Sequence, residues 1–156
     1  MIPDHVATLQ QLAETRPYMD LGRVGLYGYS FGGYMTIRGM LLAPDVYHVG
    51  VAGTPSGGSA TRDGARDYPS NRPLADRLKG KLLLHHGTSD VNTPFFHTMR
   101  MITALIRAGK PYDLFVLPGQ DHLSTQSVAY GYDLEATRRY FQEHLKPEKV
   151  VLQSEE

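Results

Sequence analysis

Cysteine is absent from this chain of 156 residues. That excludes disulfides, a thiol nucleophile and cysteine-ligated metal, and it leaves the redox compartment open, because proteins of either environment can lack the residue. Net charge is missing as well: Lys plus Arg and Asp plus Glu number 16 each, so nothing electrostatic draws the chain to nucleic acid or to an anionic membrane. No apolar run approaches the ~20 residues that a membrane span needs, and the N-terminus has no basic region followed by an apolar stretch. A soluble globular protein is expected, with the cytoplasm favoured. The length suffices for one domain with a real core and not for two. With 16 Gly and 10 Pro beside 41% hydrophobic residues, loops take a fair share of it.

What is present is organised around Gly28-Tyr29-Ser30-Phe31-Gly32-Gly33-Tyr34. A short apolar run, residues 23–27, precedes it, and a periodic apolar segment, residues 35–42, follows. That order reads strand, tight turn, helix. A serine between two glycines in this setting is a nucleophile elbow, which lifts the Ser30 hydroxyl clear of the sheet at a helix N-terminus. Gly28 and Gly32 are expected to be glycine because a Cβ at either place would collide where strand and helix pass closely.

Along the chain, Asp4 is expected to cap a first helix carrying Val6, Leu9, Leu12 and Ala13, stopped by Pro17. The helix after the elbow runs to about Ala43, and residues 48–53 suit a buried parallel strand. Periodicity fades from Thr54 to about Leu78. A connection that long is either functional or a mobile surface loop, and Arg62, Asp63, Arg66 and Asp67 in it read as a solvated face. Residues 81–86 form another buried-type strand. Phe95, Met99, Ile102, Leu105 and Ile106 then make a helical core stripe capped by Gly109. Residues 113–117 are a fourth strand, and Leu134, Arg138, Phe141 and Leu145 lie along a final helix. The expected fold class is α/β, a parallel sheet of about four strands flanked by helices. The domain covers residues 1–147, and residues 148–156 form a polar tail.

Parallel sheets of this kind carry their sites beyond the carboxyl ends of the strands. Three of the four strands end in loops that supply Ser30, Asp90 and His122. A serine hydroxyl needs an imidazole to take its proton and a carboxylate to hold that imidazole in one tautomer. The chain order Ser, Asp, His is that of α/β-hydrolases. Ser30 is therefore the expected nucleophile, His122 the general base and then acid, and Asp90 the orienting carboxylate. Asp121 is a weaker alternative orienter, since it adjoins His122 and neighbouring side chains diverge. Phe31 offers its backbone N–H to an oxyanion hole, whose second donor this chain does not supply before Ser30. His85 and His86 are sequential on a strand and face opposite sides, so they do not chelate one metal, and His85 reads as a hydrogen-bonded core histidine. His5, His48, His97 and His144 show no cluster spacing. No metal and no cofactor is expected.

Taken together, Gly-Tyr-Ser-Phe-Gly-Gly-Tyr at 28–34, His-Gly-Thr-Ser-Asp at 86–90, Asp-His-Leu-Ser at 121–124 and Glu-Ala-Thr-Arg-Arg-Tyr-Phe at 135–141 resemble the catalytic domain of the prolyl oligopeptidase family of serine peptidases. The nearest branch in likeness is that of the dipeptidyl and acylaminoacyl peptidases. The resemblance spans about residues 5–147 and implies Ser30, Asp90 and His122 as the triad and Phe31 as the oxyanion donor. It further implies that Asn92 lies near the substrate backbone. The implied substrates are short peptides, cleaved through an acyl-enzyme, with esters accepted by some relatives.

Two departures stand beside the likeness. Family members carry the first half of the hydrolase domain, and usually a β-propeller, ahead of the elbow, whereas a single helix precedes it here. The separation of Ser30 from Asp90 is also short by roughly two dozen residues against the connections that helix-bearing excursions need. The expected object is thus the C-terminal half of a hydrolase domain with a trimmed connection, a truncated α/β-hydrolase fold. Its elbow strand becomes an exposed apolar edge, suited to a second copy or to a complementing N-terminal half. Two other readings stay open: a non-catalytic remnant that binds a partner or completes another sheet, and an esterase of small acyl groups.

Overall fold

A computed structural model describes residues 1–57, 68–122 and 128–146. Its described residues hold four α-helices and four strands in the order α1 (Ile2–Glu14), β1 (Val24–Tyr29), α2 (Phe31–Leu42), β2 (Tyr47–Gly53), β3 (Lys81–Gly87), α3 (Phe96–Arg107), β4 (Asp113–Leu117) and α4 (Val128–Leu145), so strand and helix alternate except between β2 and β3. The strands form one parallel sheet in the order β1-β2-β3-β4. Strand β2 lies between two neighbours and beneath helices on both faces, and its residues are almost all buried, as a continuous apolar run requires.

Each parallel pairing demands a crossover, and the helices that make the crossovers cover the sheet. Residues Ile37, Met40 and Leu41 of α2, Met101, Ile102 and Leu105 of α3, and Ile2 of α1 pack with Leu82 and Leu84 on one face. Tyr140 of α4 packs with Val49, Val51 and Leu83 on the other. Helix α2 is apolar almost all round because it is the central helix of its layer.

Several local expectations change. Asp4 lies in the first turn of α1 and does not cap it. The helix begins at Ile2, since Pro3, with its preset φ and no N–H, fits the first turn. The long connection after β2 contains a 3-10 segment, Arg72–Arg77, which sends Ala75 and Leu78 into the core. Residues 58–67 of that connection, with the expected solvated face, and the tail 148–156 lie outside the described residues. On α3, Ile106 is 61% exposed and Met101 takes its place in the core. On α4, Leu134 is 41% exposed while Asp133, Thr137 and Tyr140 are buried. The seat of α4 is set in part by polar partners on the sheet: Tyr140 donates to Asp113 Oδ2 at 2.7 Å, and Asp133 meets His85. A reading of apolar periodicity passes over such contacts.

Candidate active site

Ser30 follows the last residue of β1 and caps α2 with φ +56° and ψ −116°. A side chain in this region is strained, and the strain is held by its surroundings. The Ser30 N–H donates to Gly53 O at 2.9 Å, and the Ser30 carbonyl accepts from Tyr34 N–H at 3.0 Å and Ser56 N–H at 3.3 Å. Its hydroxyl makes no capping bond to the helix. The close passage of strand and helix falls on Gly28, where a Cβ would stand 2.3 Å from Gly32 O, and on Gly33, where it would stand 2.5 Å from Gly53 O. Gly32 itself faces open space, so the expected collision there is not found. The elbow needs the third glycine of the motif and tolerates change at the second. Beyond Ser30, the N–H of Phe31 has no backbone acceptor among the described residues, which leaves it pointing out of the helix end as a free donor.

Asp90, on the loop after β3, is 5% exposed and accepts on both oxygens. Oδ1 takes the N–H groups of Asn92 at 2.9 Å and Thr93 at 2.8 Å. Oδ2 takes the Thr93 hydroxyl at 2.9 Å and His122 Nδ1 at 2.8 Å. Burial alone would raise the pKa of this carboxyl, but the bonds from His122 and Thr93 outweigh it and hold Asp90 below its ordinary value. The carboxylate is thereby kept ionised, and it fixes the proton of His122 on Nδ1, leaving Nε2 as the basic nitrogen. His122 sits after β4 and the Pro118-Gly119 turn, in which Gly119 has φ +70°. Asp121 does not take the orienting position, which Asp90 fills.

Ser30 and His122 follow the outermost strands of this sheet, β1 and β4, and Tyr29 bridges the distance: its hydroxyl donates to the His122 carbonyl and its ring lies 5.4 Å from the imidazole. Among the described residues no hydrogen bond joins the Ser30 hydroxyl to His122. In a site without substrate such bonds are often long and tighten on binding. Asn92 is exposed beside Asp90 and is tied to it through its backbone alone.

Three supporting residues were not singled out from the sequence. Thr93 places its hydroxyl 3.0 Å from Thr54 O, 2.9 Å from Asp90 Oδ2 and 3.1 Å from His122 Nδ1, so one side chain joins the loops after β2, β3 and β4. Its signal is local: Asp90-Val91-Asn92-Thr93 is a turn in which an aspartate accepts from N–H groups two and three residues on. His86 stands between Thr98 Oγ1 at 2.7 Å and Thr93 O at 2.7 Å, so its Nε2 carries the proton that the carbonyl accepts, and its Nδ1 accepts from Thr98. Burial pushes its pKa down and keeps it neutral. The hydrogen-bonded core histidine is therefore His86. His85, on the other face, lies 2.9 Å from Asp133 Oδ1 at an angle that is not a hydrogen bond. Tyr29 is the third.

Beside the elbow an open cavity of about 330 Å³ is lined by Phe31, Tyr34, Met35, Arg38 and Tyr68 among others. Phe31, Tyr34 and Tyr68 contact one another at 4.5 to 5.6 Å between centroids, Phe31 stacked on Tyr34 and edge-on to Tyr68. A larger cleft of about 610 Å³ between the 72–77 segment and α3 is lined by Arg72, Asp76, Arg100 and Arg107 among others and does not include Ser30, Asp90 or His122. No group of three or more metal-ligating side chains occurs among the described residues.

The sequence and the fold have counterparts in known proteins. The family model of the prolyl oligopeptidase family matches residues 1–64 and 56–148, two segments that meet inside the long connection after β2. Dipeptidyl peptidase 8 of human and of mouse is 33% identical over 92% of this chain and 18% of its own length. The rat protein named inactive dipeptidyl peptidase 10 is 28% identical over 97% of this chain and 21% of its own. Among solved structures, a Bacteroides ovatus protein assigned as a dipeptidyl aminopeptidase IV superposes with a TM-score of 0.79 at 34% identity, over 90% of this chain and 22% of that one. The chain thus spans about a fifth of the length of the relatives it matches. With a family model matching along nearly its whole length and relatives 33% identical over 92% of it, this chain belongs to the prolyl oligopeptidase family.

Proposed function

We propose that the chain carries the catalytic residues of a serine hydrolase, by family a peptidase that cleaves short peptides through an acyl-enzyme. The observation that carries this reading is the His122–Asp90 bond of 2.8 Å, made by a carboxylate whose remaining lone pairs are already occupied. Ser30 Oγ attacks the scissile carbonyl carbon and passes its proton to His122 Nε2, while Asp90 holds the ring and balances the imidazolium. The N–H of Phe31 donates to the oxyanion, Asn92 lies on the substrate side, and His122 then protonates the leaving amine. Water, deprotonated by the same imidazole, releases the acyl group. The aromatic cavity at Phe31, Tyr34 and Tyr68 offers an apolar side chain of the substrate a place beside the nucleophile.

A fluorophosphonate probe tests the reading. Labelling of Ser30 that vanishes in Ser30→Ala supports it, and a folded protein that stays unlabelled overturns it. Comparing p-nitrophenyl esters with aminoacyl amides separates an esterase of small acyl groups from a peptidase.

A second reading is a hydrolase-fold module without catalysis that completes another sheet. Two observations favour it: among the described residues the Ser30 hydroxyl has no hydrogen bond to the helix or to His122, and a relative named as inactive matches 97% of the chain. Strand β1 is paired on one side only, and Tyr27 on it is 48% exposed, so the partner would be a second copy or an N-terminal half supplied to that edge. Among the described residues no helix is long and apolar enough to cross a membrane.

A further inference from the structure

We propose that Tyr29 is a positioning residue for His122, tying the loop of the general base to the strand that ends in the nucleophile. The inference rests on the roles given above to Ser30 and His122. Tyr29 is the last residue of β1, is peptide-bonded to Ser30, and is locked by its parallel pairing with Gly53. Its hydroxyl donates to the carbonyl of His122 itself. The loop is also anchored upstream of the imidazole, to the β3 side: Gly119 N–H donates to Thr88 Oγ1 at 2.8 Å, and Ser89 N–H to Gln120 O at 3.0 Å. The ring is likewise held by Asp90 and Thr93, both on the loop after β3. Tyr29 thus ties the base directly to the strand that leads into the nucleophile.

The tyrosine is braced from behind. Its ring lies 6.3 Å from the ring of His85, which is fully buried and sits against Asp133 of α4. The room for both rings is made by Gly53, where a Cβ would stand 2.7 Å from Tyr29 Cδ2 and 2.5 Å from His85 Cε1. A rigid ring in a cradle this tight moves little, so its hydroxyl is a fixed point for the His122 carbonyl. Fixed points matter here because a misplacement of ~1 Å costs about 100-fold in rate.

Tyr29→Phe keeps the ring and removes the hydroxyl. Two measurements read it: the second-order rate of Ser30 phosphonylation by a fluorophosphonate, and the downfield proton resonance of His122 Nδ1–H, which needs no activity. The expected result is a rate lower by ~10- to 100-fold, a broadened or shifted His122 resonance, and a melting temperature close to that of the parent. Asp90→Asn is the comparison that removes the resonance altogether. Rate and resonance both unchanged in Tyr29→Phe overturn the proposal. So does a loss of rate matched by a large fall in melting temperature with the resonance of the folded fraction unmoved, which makes the hydroxyl a stability feature only. If the parent takes no label while Tyr29→Phe still disturbs the resonance, the positioning role stands and the hydrolase reading fails.

Discussion

His122 Nδ1 and Asp90 Oδ2 stand 2.8 Å apart, and the carboxylate that receives this bond also accepts two backbone N–H groups and a threonine hydroxyl. A carboxylate so fully engaged has one orientation, and so does the imidazole it holds. The two residues are 32 positions apart and arrive from loops after different strands, so their meeting reflects the parallel sheet and not local sequence.

Replacing Asp90 by Asn keeps the shape of the site but presents an amide N–H or carbonyl where Nδ1–H needs an anion. Ser30 phosphonylation is expected to fall by up to ~10⁴-fold, the loss in kcat that the same Asp-to-Asn change causes in a serine-protease triad. The labelling rate at a single pH measures it.

Asp90 also predicts an acid limb of stability. Its pKa is lowered from 3.8 in the folded chain. Its contribution is therefore present above the unfolded value, about 3.9, and is lost as pH falls through the lower folded value. Thermal melts from pH 5 downward should show a loss that is shallower in Asp90→Asn.

His86 acts in a different window. Its folded pKa lies below 6.5 because burial disfavours the imidazolium. The unfolded chain then takes up a proton first, so stability is full above about 6.5 and declines as pH falls from there toward the folded value. His86→Gln is expected to be less stable at pH 8 and to lose this pH dependence, checked by urea denaturation at several pH values.

The two elbow glycines should part company. Gly28→Ala drives a Cβ to 2.3 Å from the backbone oxygen of Gly32, and a loss of about 1–3 kcal/mol is expected. Gly32→Ala enters open space in a helix and should be neutral or stabilising by up to about 1 kcal/mol. Denaturant midpoints of the two variants decide the matter.

Thr93→Val removes one hydroxyl from three loops. The single hydroxyl proton is shared between Thr54 O and Asp90 Oδ2, so the two acceptors lose one buried donor between them, and a cost of about 1–3 kcal/mol is expected. Because Asp90 retains its backbone donors, labelling of Ser30 should fall less than in Asp90→Asn.

The order of strands and helices, the elbow and the Ser, Asp, His order were all legible, because each depends on short-range chemistry. Apolar runs of strand length, proline and glycine stops, and a serine between glycines act over a few residues. The faces of α3 and α4 were less legible. Ile106 and Leu134 have the right spacing for a stripe, yet α4 turns toward Asp133, Thr137 and Tyr140 because the sheet offers polar partners in His85 and Asp113. Gly32 was misread for a related reason: its neighbours in space, not in sequence, decide whether a Cβ fits.

From its residues alone the chain determined a parallel α/β sheet and the three loops that bear a hydroxyl, a carboxylate and an imidazole, since periodicity and turn chemistry are properties of contiguous segments. Only the tertiary structure decided that Asp90 and not Asp121 meets His122, that His86 and not His85 is the fully bonded core histidine, and that Tyr29 and Thr93 link the loops. Those choices depend on which strand ends stand side by side and at what register, and a hydrogen bond reaching about 3 Å across them is set by that packing.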